Sequence, residues 1–234
     1  MTVLLVLFTL IGFLAADFIV QRRKQKQASV VAIRSAQLLS PGQWHLSDDL
    51  VLAPNHLWMR REHDNSITVG IDNFLLSVTG AVESIGLPGE GEIVGRGEPA
   101  IRLREKNKSL RLDSPIEGQV LGVNKEVLLT PTLVRSNPYT SGWLFNLIPL
   151  DEAKPLTGFL RGEAAIEWLK KQNELVKEFL VSHTPQLEFA TMQDGGVPVD
   201  GVLKGFNDKV WEEFQERFIP TTAESKQIGE YDNA

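Results

Sequence analysis

The chain has 234 residues, with 24 Lys and Arg against 30 Asp and Glu, a formal net charge of −6 and no cysteine. That balance leaves no electrostatic footprint for nucleic acid, which needs a basic face to track its phosphates. The missing thiols exclude disulfides, thiolate zinc, iron–sulfur ligation and cysteine nucleophiles together, so a redox cofactor held through cysteine would have to belong to a partner.

The first element is MTVLLVLFTLIGFLAADFIV, apolar from Val3 to Val20 apart from Thr9, Gly12 and Asp17. About 18 to 20 helical residues span a hydrocarbon core, so residues 1–21 are read as a single transmembrane helix. Nothing basic precedes the run and QRRKQK follows it, the reverse of a cleaved signal peptide. Arg22, Arg23 and Lys24 should stay in the cytoplasm by the positive-inside rule, which puts the N-terminus outside and the soluble domain inside at the cell membrane. Gly12 and Ala16 form a small-xxx-small pair and Asp17 is an ionisable group near the cytoplasmic end, so these three mark a contact with a membrane partner. Residues 22–49 read as a basic juxtamembrane linker.

From about Trp44 to Leu150 the pattern is of short strands with turns: ITVGI at 67–71, AVESI at 81–85, AIRLR at 100–104, GQVLGV at 118–123 and EVLLT at 126–130. The glycine-rich stretch GLPGEGEIVGRGEP, 86–99, lacks the lysine and hydroxyl residue of a phosphate loop and does not fit G-x-G-x-x-G, so turn chemistry accounts for it. The pattern predicts a mainly β domain, a compact antiparallel sandwich or barrel.

His56-Leu57-Trp58, VGIDNF at 69–74, VTGAVESIGLPGEGE at 78–92, SPIEGQVLGVN at 114–124 and NPYTSGWLFNLIP at 137–149 occur in that order. Together they resemble the H protein of the glycine cleavage system, over residues 50–150. The resemblance implies the lipoyl/biotinyl-carrier β-sandwich, a barrel-sandwich hybrid, in which family members carry a lipoyl arm on a lysine at a hairpin tip. That lysine lies in a motif like E-S-V-K-A, eight residues before the proline of a Ser-Pro or Ala-Pro turn. Counting back from Pro115 lands on Asn107, and counting forward from Gly91 and Gly97 agrees. Arg104-Glu105-Lys106-Asn107 therefore stand in place of E-S-V-K, with arginine where the motif has an acid.

An asparagine side chain is already an amide and cannot be acylated, although asparagine suits the left-handed backbone of a tight hairpin. No bound cofactor is expected. Lys108 and Lys106 are the fallback sites for lipoate, but a one-residue shift turns a strand side chain to the opposite face. The four histidines, His45, His56, His63 and His183, are scattered without a metal-binding pair, and Ser114 and Ser141 lack the neighbouring base and oxyanion donors of a nucleophile, so neither a metal site nor a catalytic centre is expected.

Residues 151–220 read as a helical extension. GEAAIEWLKKQNELVKEFL, 162–180, places Ala165, Leu169, Val176 and Phe179 near one face of an amphipathic helix. NDKVWEEFQERFIP carries Trp211, Phe214 and Phe218 at helical spacing until Pro220, a stripe that could dock a protein partner. Residues 221–234 are polar enough to be disordered. The sequence thus points to a membrane-anchored, non-lipoylated scaffold or accessory subunit of a larger cytoplasmic-face complex, redox complexes included, with protein partners and no small-molecule substrate. The alternative is a lipoyl carrier of the glycine cleavage type using Lys106 or Lys108.

Overall fold

The computed structural model describes residues 46–151, 156–183 and 201–220. The span expected at 1–21, with Gly12, Ala16 and Asp17, lies outside the described residues, as do Arg22, Arg23, Lys24 and the tail 221–234. Among the described residues no helix is long and apolar enough to cross a membrane.

Among the described residues ten strands form two antiparallel sheets. β1 (Leu50–Leu52), β2 (Leu57–Arg61), β3 (Ile67–Ile71), β5 (Ile93–Val94), β8 (Gly118–Val123), β9 (Phe145–Pro149) and β10 (Leu160–Arg161) build the larger, in the order β10-β1-β2-β3-β9-β8-β5. β4 (Ser84–Gly86), β6 (Pro99–Glu105) and β7 (Lys108–Asp113) build the smaller, in the order β4-β6-β7. Alternation decides which face is covered. In β6 and β7, Ile101, Leu103, Leu110 and Leu112 are buried while Arg102, Arg104, Ser109 and Arg111 face out. The buried sides of both sheets meet in one core around Leu52, Leu57, Trp58, Ile67, Val69 and Phe145.

Two motif residues explain their own positions. Trp58 lies directly across from Gly70 on β3, and a Cβ at Gly70 would come within 2.4 Å of the indole. The indole Nε1–H donates to the Pro138 carbonyl at 3.1 Å, tying H-x-W to the NPY segment. The glycine-rich stretch is one turn used twice. In GEGE and GRGE the first glycine N–H donates to the carboxylate of Glu92 or Glu98 (2.7 and 2.9 Å), and Gly91 and Gly97 take φ of 85° and 83°. That is the left-handed third position a type II turn requires.

Local expectations fail where capping beats alternation. EVLLT is not a strand: α2 (Lys125–Leu129) begins there, with the Asn124 side chain accepting from the Glu126 N–H, and of its residues only Val127 is buried. AVESI contributes a strand only from Ser84. DNFLLSVT forms α1 (Asn73–Thr79), capped by Asp72 and ended by Gly80 at φ 93°. α3 (Leu133–Ser136) follows α2.

The helix expected at 162–180 is α4 (Gly162–His183), with Ala165, Leu169, Val176 and Phe179 on its buried side, lying against β1 and β10. A 3₁₀ turn, Val202–Gly205, rests on α1, with the Gly201 N–H donating to the Ser77 carbonyl at 2.6 Å. α5 (Asp208–Phe218) follows, capped by Asn207. Its aromatic stripe is turned inward: Trp211, Phe214 and Phe218 are buried, Phe214 and Phe218 stack at 4.8 Å, and both meet Phe179 edge-on at 6.0 and 5.5 Å. The expectation that these three dock a partner gives way to burial within the chain, because an aromatic stripe on a short helix is covered at the nearest surface, here α4 for Phe214 and Phe218 and the Lys108–Ser109 end of β7 for Trp211.

Candidate functional site

The hairpin that the sequence singles out is closed by the pair Glu105↔Lys108, leaving Lys106 and Asn107 as a two-residue loop. The left-handed residue is Lys106, at φ 53°; Asn107 keeps a negative φ. This is the sign pattern of a type II′ turn, positive only at the first loop position. Asn107 therefore is not there to supply the left-handed backbone. The Lys106 N–H donates to Glu83 Oε2 at 2.8 Å, anchoring the loop to the residue before β4.

The two fallback lysines part company, as a one-residue shift dictates. Lys106 is exposed at the apex, and its ammonium has no partner among the described residues. Lys108 turns to the covered side of the sheet, where its Nζ donates to the Phe206 carbonyl at 2.6 Å and, longer, to that of Leu203 at 3.5 Å. It also lies 5.0 Å from the centre of the Trp211 ring, an ammonium over an indole. Burial pushes the Lys108 ammonium below the usual lysine range, against the opposing pull of Asp208 and Glu105.

Three further contacts complete the grip. Lys204 pairs with Glu105 at 3.1 Å, the Trp211 indole N–H donates to the Ser109 carbonyl at 3.4 Å, and the Arg111 N–H donates to Gln215 Oε1 at 3.0 Å. The last two satisfy backbone groups on the free edge of β7, which would otherwise be open to strand addition. The C-terminal extension thus holds the hairpin along one edge and from its covered side, leaving the tip and the outer face free. Nothing in the spacing of residues 201–220 signalled these contacts; only the odd position of Lys108, on the inward register of a strand, hinted at a buried partner.

His56 and His183 tie elements of the fold together. His56, fully buried, shares a 2.7 Å hydrogen bond between Nδ1 and Asp72 Oδ2, while Asp72 Oδ1 accepts from the Leu75 N–H to cap α1. The ring stacks on Phe74 at 5.2 Å and meets Trp168 of α4 at 4.9 Å. Its Nε2 has no hydrogen-bond partner and no path to solvent, an arrangement that suits packing. His183 pairs with Glu213 at 2.7 Å, linking α4 to α5. The Ser141 and Trp143 carbonyls both accept from the Asn124 amide at 2.8 Å, which fixes the SGW turn. Among the described residues no three His, Asp or Glu side chains gather to hold a metal ion.

Two sheets joined through one core, with the hairpin projecting from the smaller, define a β-sandwich whose conspicuous surface feature is a presented loop. The family model for the glycine cleavage H-protein matches residues 50–173. Glycine cleavage system H proteins of Aeromonas hydrophila and Pseudoalteromonas atlantica are each 34% identical over 119 residues, 51% of this chain and 92% of each relative. That of Shewanella frigidimarina is 34% identical over 106 residues, 45% of this chain and 82% of its own. A crystal structure of the H protein from Mycobacterium marinum aligns with a TM-score of 0.47 at 23% identity, over 55% of this chain and 99% of that one. The chain belongs to the glycine cleavage H-protein family. The match stops at residue 173, so the segment that grips Lys108 lies beyond it.

Proposed function

We propose that this chain is an H-protein-like scaffold without a lipoyl arm, an accessory subunit holding together a complex at the cytoplasmic face of a membrane. The observation that carries this reading is the hairpin itself. Asn107, at the position the motif count assigns to the carrier lysine, offers an amide instead of a nucleophilic amine, and the neighbouring Lys108 is committed to the Phe206 carbonyl. An acyl group on Lys108 would remove the charge, the hydrogen bond and the cation–π contact together. Membrane attachment is supported by the apolar run from Val3 to Val20 and the basic residues after it. Mass spectrometry of the 104–111 segment from natively isolated membranes tests the reading: an unmodified hairpin is expected, and a dithiolane acyl group on any lysine there overturns it.

A second reading, a lipoyl carrier within a glycine cleavage system, is favoured by the exposure of Lys106, whose ammonium has no partner among the described residues. It requires lipoate on Lys106, and the same measurement decides it.

A further inference from the structure

The outer face of the smaller sheet carries three arginines. Arg102 stands directly opposite Arg111, and Arg104 lies two residues along β6, across from Ser109. All three are exposed, and none of their guanidinium groups has a hydrogen-bond, ion-pair or ring partner among the described residues. Asp113, farther along β7, feels the Arg111 charge without reaching ion-pair distance. On β4 the flanking positions are small, Ser84 opposite Arg104 and Gly86 opposite Arg102, so nothing tall shields the guanidinium groups on that side. Like charges directly opposite on a sheet face oppose folding. A solvated face gains nothing from placing them so, least of all in a chain of net charge −6.

We propose that this platform docks an acidic polypeptide segment of a partner protein. The guanidinium fork fits carboxylates in pairs, and the rise of a strand, about 3.4 Å per residue, matches carboxylates at alternate positions of an extended partner to Arg102 and Arg104. Three arginines in an acidic chain fall short of the four to eight basic residues that mark anionic-lipid binding. Arg104 also stands where the carrier motif has an acid, so the charge beside the hairpin tip is reversed and a different class of partner is selected. This inference deepens the scaffold reading and rests on it for the partner's role.

The test uses the full chain in detergent, with fluorescein-labelled hexaglutamate as the probe and fluorescence anisotropy at low salt. Binding should weaken at least ten-fold in R102Q/R104Q/R111Q, and in R104E alone should fall by several-fold, with the thermal midpoint unchanged or raised because like-charge repulsion is relieved. The proposal is overturned if the triple variant binds hexaglutamate within two-fold of the unaltered chain. It is equally overturned if phosphatidylglycerol vesicles bind through these arginines while hexaglutamate does not. A lipoyl group found on the hairpin alongside intact hexaglutamate binding would remove the scaffold reading and leave the platform standing, so the two fail separately.

Discussion

The sandwich at 50–150 and the extension at 162–183 and 201–220 share one core, yet they are held by different means. The sandwich is a set of long-range strand pairings in which almost every inward position is aliphatic, together with a His56–Asp72 pair closed off from water. The 201–220 part of the extension is held by aromatic contacts to α4 and by scattered polar ties, to the edge strand β7, to Glu105 and to the Ser77 carbonyl of α1. The first kind of construction preserves a fold. The second kind adjusts one part of it, here by gripping the base of the hairpin and leaving its tip and outer face presented.

That contrast can be broken at several points. Phe214→Ala removes a fully buried ring between Phe179 and Phe218 and should destabilise by about 3–5 kcal/mol. In hydrogen exchange the loss of protection should concentrate in 201–220; uniform loss across β1–β3 would mean the two regions are one cooperative unit. Asp72→Ala strikes the sandwich, leaving His56 Nδ1 unpartnered and α1 uncapped, at about 2–4 kcal/mol by chemical denaturation. Its signature should be global unfolding with no selective loosening of the hairpin.

Trp211→Leu keeps apolar bulk but deletes the indole over Lys108 and the bond to Ser109, at about 1–2 kcal/mol. Amides of 105–111 should exchange faster while those of β8 and β9 hold.

The smallest effects depend on pH. The hydrogen bond from His183 and the charge of Lys209 hold the Glu213 carboxyl below its ordinary value of 4.5. A carboxylate depressed in the folded state stabilises above the unfolded value, and that contribution is lost as pH falls through the folded one. Protection of α5 should therefore drop below about pH 4.5, and Glu213→Gln should abolish that drop. Lys108 gives a slope of the same sign at the alkaline end, although there it is the neutral form that folding favours. Its folded value lies below 10.5, so stability rises with pH between the two values. Lys108→Met should remove that alkaline rise.

Much of the sandwich was legible in residues alone. The alternation in AIRLR and GQVLGV marked β6 and β8, and the ordered motifs placed the hairpin tip at Asn107, within the loop the register closes. EVLLT misled because its β-rich composition outweighed the asparagine cap just before it, and DNFLLSVT hid a helix because every residue of it but Asn73 is buried, leaving no exposed stripe to read. At the loop, asparagine's tolerance of left-handed backbone pointed to residue 107, whereas the turn type chosen by the flanking strands put that conformation on Lys106.

Periodicity and side-chain chemistry, which are written residue by residue, were enough to set the family core, the amide at position 107 and the existence of two amphipathic helices. Tertiary structure alone decided what covers the aromatic stripe and which lysine is engaged. Those outcomes depend on surfaces distant in sequence, about a hundred residues apart in the Lys108–Phe206 contact, and no local pattern encodes them.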